Sequence, residues 1–135
     1  VVVVTEPIMN PSSNSPICPG ATLELYANGP GGATYNWVGP NNFSAQGSNP
    51  TLPNASPAAS GTYTVTVNEN GCIGTKTVSV TVEDTQPPSI TCPPNTTVAA
   101  DGTCSGTVGS HSAASVSDNC NPNPTVTQSP ASNTV

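Results

Sequence analysis

Residues 61–82, GTYTVTVNENGCIGTKTVSVTV, constrain the fold of this chain more than any other stretch. Tyr63, Val65 and Val67 alternate with polar residues, which places three apolar side chains on one face of a strand. Asn70-Gly71 follows, a pair that tolerates positive φ at both positions of a two-residue turn. Val78, Val80 and Val82 then repeat the alternation on the return. The segment is therefore expected to be a β-hairpin with one apolar face. A lone sheet would leave that face in water, so a second layer must cover it.

The residues before the hairpin supply that layer. In ATLELYA, residues 21–27, Leu23, Leu25 and Ala27 alternate with Thr22, Glu24 and Tyr26, the pattern of a half-buried strand. NGPGGA at 28–33 reads as a loop. TYNWV at 34–38 puts Tyr35 and Trp37 on one face of a second strand, and Trp37, the only tryptophan, is expected in the core. Residues 39–60 are rich in Pro, Asn and Ser and allow short edge strands at most, anchored by Phe43 and Leu52. Several short strands between turn clusters imply an all-β sandwich.

Composition then narrows the function. Only 6% of residues are charged, with one lysine and no arginine, and the formal net charge is −6. Phosphate binding needs clustered cations, so nucleic acid is excluded as a partner, and the negative charge opposes anionic membrane surfaces. No apolar run approaches the length of a membrane span, so no membrane insertion is expected. Five cysteines with no CxxC pair and a single histidine fit a disulfide framework better than a zinc site, and place the chain in an oxidising, extracellular setting. The VVVV run at 1–4 is too short for a signal-peptide core; a secretion signal is expected upstream of this segment or already removed.

The stretches ICPGATLELYA, ATYNWVGPNNFS and ASGTYTVTVNENGC resemble the immunoglobulin-like and PKD-like modules repeated in large bacterial surface proteins, notably adhesins of Bacteroidetes. The likeness covers roughly residues 6–83. Gly61-Thr62-Tyr63 resembles the tyrosine corner of immunoglobulin sandwiches, whereas Val65 stands where antibody domains carry their second cysteine. That inter-sheet disulfide is thus expected to be absent, and Cys18 is expected to pair with Cys72 instead. Further on, DTQPPSITCPPNTTVAADGTCSG and VSDNC resemble the hyalin repeat over residues 84–120. This second resemblance implies a Cys104–Cys120 disulfide and leaves Cys92 unpaired within the segment, its implied partner lying near the end of such a module. The expected plan is a lead-in or donor strand at 1–5, a sandwich at 6–83, a linker at 84–88 and a partial hyalin-repeat-like sandwich at 89–135, incomplete because the sequence stops short of the length that fold implies.

Candidate sites are sparse. His111, Asp118 and a nearby serine would make a nucleophilic triad, yet a single histidine in a Ser-rich loop reads better as a solvated surface residue, so no enzyme is expected. Glu83, Asp84, Asp101, Asp118 and Asn119 offer oxygen ligands for calcium, but no DxDxDG-type loop is present and solvated carboxylates are the plainer reading. Asn42, Asn54 and Asn95 each begin an N-x-[ST] acceptor pattern, and the many threonines and serines offer sites for O-linked sugars. The resemblance implies an extracellular structural module of a cell-surface adhesin or filament, one that spaces and presents without catalysis or cofactor. Its expected partners are neighbouring modules or subunits of the same protein. The VVVV run is a candidate donor for strand addition to such a neighbour, or the last strand of a preceding module, or the first strand of this one. The alternative is an adhesive module that binds glycans or a surface through the 39–60 loop; it requires a solvent-exposed aromatic there, and Phe43 is the only one available.

Overall fold

The computed structural model describes residues 5–94, 102 and 114–127. The chain divides into two compact units, Val1–Asp84 and Thr85–Val135. Among the described residues the first holds seven strands: β1 (Ser12–Ser13), β2 (Leu23–Tyr26), β3 (Thr34–Gly39), β4 (Phe43–Gln46), β5 (Thr51–Leu52), β6 (Gly61–Glu69) and β7 (Cys72–Val80), with a short 3-10 helix at Pro57–Ala59. They form two antiparallel sheets, β1-β2-β5 and β4-β3-β6-β7.

The β6–β7 hairpin closes as the alternation and the turn residues dictate. Glu69 pairs with Cys72 across a two-residue turn in which Asn70 has φ 51° and Gly71 φ 88°. Both values lie in the left-handed region, the requirement of a type I′ turn, and the Gly71 N–H donates to Asn68 Oδ1 at 3.0 Å. Tyr63, Val65 and Val67 on β6 are fully buried, as are Leu23, Leu25 and Ala27 in the facing layer and Trp37 on β3. Val80 and Val82 complete the inward set, while Val78 is half-buried against it. Each large apolar side chain so removed from water contributes about 1.5–3 kcal/mol. Phe43 and Leu52 lean on the same core from its margin.

Two hydrogen bonds fix the aromatic anchors. The Trp37 indole N–H donates to the Gly47 carbonyl at 3.2 Å, and the Tyr63 hydroxyl donates to the Ala59 carbonyl, four residues upstream, at 2.9 Å. The second is a tyrosine corner. Facing antiparallel sheets, a buried tryptophan on β3 and this corner at the start of β6 make the first unit an immunoglobulin-like β-sandwich.

Residues 5–17 lace the two sheets together. Pro7 and Met9 point inward while Ile8 is 90% exposed, and β1 pairs with β2. Past the cis Ser15–Pro16 bond the chain crosses to the other sheet, where Ile17 bridges Val82 in parallel. The Ser15 hydroxyl accepts from the Thr81 N–H at 2.6 Å, the Ile17 N–H donates to Thr81 O at 3.1 Å, and the Glu83 N–H donates to Ile17 O at 3.1 Å. In the second unit β8 (Ser89–Thr91) pairs antiparallel with β9 (Ser115–Ser117), Ile90 opposite Val116.

Candidate functional site

The cysteines correct one expectation. Cys18 and Cys120 are each half of a disulfide, whereas Cys72 is a half-buried free thiol and Cys92 an exposed one. The expected Cys18–Cys72 bridge therefore does not form, and the sheet register explains why. Cys18 follows Ile17, which sits beside Val82, while Cys72 begins β7 at the opposite end of the same run. At about 3.3 Å per residue those ends lie roughly 30 Å apart, whereas bridged cysteines need Cα atoms within about 7 Å. Cys104, Asn95, Asp101, His111 and residues 1–4 lie outside the described residues.

Of the proposed calcium ligands, Glu83 and Asp84 are exposed at the end of the first unit. Asp118, in the second, serves its own backbone: Oδ1 accepts from the Cys120 N–H at 2.9 Å and from the Asn121 N–H at 2.6 Å, an aspartate turn. Its Oδ2 is buried with no hydrogen-bond partner among the described residues. The Asn119 amide lies 3.2 Å from Cys120 Sγ. Among the described residues no group of three or more His, Cys, Asp or Glu side chains is arranged to hold a metal.

Asn42 and Asn54 are both exposed, at turns where their φ values are 57° and 52°. Asparagine tolerates that conformation, which explains its use there and leaves both side-chain amides accessible. Between these turns lies a cleft of about 180 Å³, lined by Pro40, Phe43, Leu52, Asn54 and Ala59 among others. Phe43 is not the free aromatic that a binding role for this loop requires. Its ring meets Tyr63 edge-on, with centroids 5.2 Å apart and planes at 68°, and it is half-buried.

A larger recess, about 660 Å³, escaped the sequence reading. The 28–33 loop and residues 46–48 form its walls, with Tyr35 between them. The Tyr35 hydroxyl donates to the Pro30 carbonyl at 2.6 Å, and burial, reinforced by the Glu69 carboxylate, raises its pKa. A glycine-rich loop between two strands was the only signal of this recess, and the same signal marks any wide turn.

No protein-family model matches the sequence, and no curated protein matches it. Among solved structures it is similar to the amphioxus IgVJ-C2 molecule, with 21% sequence identity and a TM-score of 0.47 over 58% of this chain and 45% of that one.

Proposed function

We propose that this chain is a structural module of a bacterial cell-surface adhesin or filament, which spaces and presents other parts of its assembly and catalyses nothing. The observation that supports this reading most is where the large side chains lie. Trp37, Tyr35 and Tyr63 are buried and Phe43 leans on Tyr63, while the outward face of the four-stranded sheet carries mainly Thr, Ser, Asn and Gln. Such a surface resists aggregation and proteolysis without offering an aromatic platform for a ligand. Half-cystines at Cys18 and Cys120 suit an extracellular setting, and no helix among the described residues is long and apolar enough to cross a membrane.

Its partners are neighbouring modules or subunits of the same protein, joined in series, with the VVVV run as a candidate added strand. Electron micrographs of the native surface material, combined with a glycan-binding screen of the full chain, test this. Extended particles and no glycan recognition are expected. Specific sugar binding that is lost on substituting residues of the 39–60 loop would replace the proposal with an adhesive role.

A further inference from the structure

The outward face of the four-stranded sheet carries an order that packing of the core does not require. Thr62, Thr64 and Thr66 on β6 stand opposite Ser79, Thr77 and Thr75 on β7, so three successive rows each hold a pair of hydroxyls. All six residues are exposed or half-buried, and among the described residues none of their hydroxyls has a hydrogen-bond partner. The four strands hold two charged residues, Glu69 and Lys76, and both fall in the core-facing register with Val65 and Val67. The aromatics do the same: Tyr35, Trp37 and Tyr63 are buried, and Phe43 lies against Tyr63. The outward face therefore has neither charge nor ring.

Such a face has no ion pair to make and nothing on which a sugar ring could stack. What it does have is a lattice. Neighbouring strands lie about 4.8 Å apart, and alternate residues along one strand about 6.7 Å. Threonine is branched at Cβ and stiff at χ1, so its methyl and hydroxyl groups repeat with the backbone. Those two repeats are close to the repeats of water oxygens on a prism face of hexagonal ice. A surface that meets ice has to surrender its liquid hydration, which costs little for a methyl group, or for a hydroxyl that bonds the lattice, and much for a charge.

We propose that the outward face of β6 and β7 binds ice. The hydroxyls of each row bond to lattice waters that are already immobile, so the ordering entropy that a bridging water usually costs does not arise. Adjacent strands are rotated by about 20–25°, which turns β3 and β4 out of the plane and confines the contact to the two strands of the hairpin. This goes beyond the spacing role and stands without it, because it rests on strand register and side-chain chemistry alone.

The test freezes a dilute, stirred solution of the full chain slowly onto a cooled probe and compares the share of protein in the ice with that of a non-binding protein of similar mass. Wild type should be enriched in the ice. Thr64→Lys and Thr75→Lys each put a cation into the array and should fall to the level of the reference protein, with Trp37 fluorescence reporting that the fold is kept. Thr75 is exposed on the edge strand and keeps the test open if Thr64→Lys does not fold. Thr51→Lys, at an exposed position of the other sheet, should match wild type. Exclusion of wild type from the ice, unchanged enrichment of both array variants, or an equal loss in Thr51→Lys would overturn the proposal. So would co-sedimentation with insoluble cellulose or chitin in place of enrichment in ice.

Discussion

Tyr63 does two jobs at once. Its ring fills the centre of the core, and its hydroxyl ties the start of β6 to Ala59 in the preceding turn. Gly39 makes room for it: a Cβ there would lie 2.5 Å from the Tyr63 ring. Tyr63→Phe keeps the ring but leaves the Ala59 carbonyl without that donor. It should lower the stability of the first unit by about 1–3 kcal/mol in urea titrations followed by Trp37 fluorescence; a change below a few tenths would show that the corner is ornamental. The same phenol sets an alkaline limit. Burial raises the pKa of Tyr63, and burial together with Glu69 raises that of Tyr35, above the ordinary value of 10.0. The folded state thus holds these protons more tightly than the unfolded chain, so their contribution is complete below about pH 10 and is lost as pH rises through the folded values. Urea midpoints should hold level up to about pH 10 and fall as pH rises beyond it, in step with the rise of tyrosinate absorbance; a flat profile would contradict the assignment. The role of Tyr63 was legible from Gly-Thr-Tyr, but that of Gly39 was not, because what lies beneath a glycine is decided by a strand distant in sequence.

At the scale of elements, the β6–β7 hairpin was legible because alternation and turn agree. Val65 and Val67 can face only one way once Asn70-Gly71 fixes the register. The segment carrying Pro7 and Met9 was not, since two inward residues between prolines give too short a period to read. The cysteine pairing was misjudged for a related reason: sequence shows that Cys18 precedes a strand, but not beside which end of β7 the chain passes. The hairpin carries its own protease test. Lys76 is the sole tryptic site and lies in a paired strand, so native wild-type chain should resist trypsin. Gly71→Val forces a β-branched residue to φ 88°, a strain of about 1–3 kcal/mol, and should speed cleavage after Lys76 several-fold. Rapid cleavage of the wild type would mean that the hairpin opens without help.

For the whole molecule, the two half-cystines and two thiols among the described residues give an alkylation map. Iodoacetamide without reductant should label Cys72 and Cys92, and should reach Cys18 and Cys120 only after reduction; an unlabelled Cys72 would restore a bridge at that residue. The division into two units was legible in the change of motif near Asp84. The parallel bridge between Ile17 and Val82 also has a mechanical meaning. Residues 15–17 and 81–83 run in the same direction, while the chain leaves the first backward and the second forward. Tension applied through both ends of the first unit therefore slides the two segments past each other, loading the Ser15, Ile17 and Glu83 hydrogen bonds together and not one at a time. Ile17→Pro removes one of those donors, and single-molecule pulling should register a lower rupture force for that variant while the β6–β7 hairpin beneath stays folded. A module tethered at both ends would then yield first at this three-residue clasp, well before its core is breached.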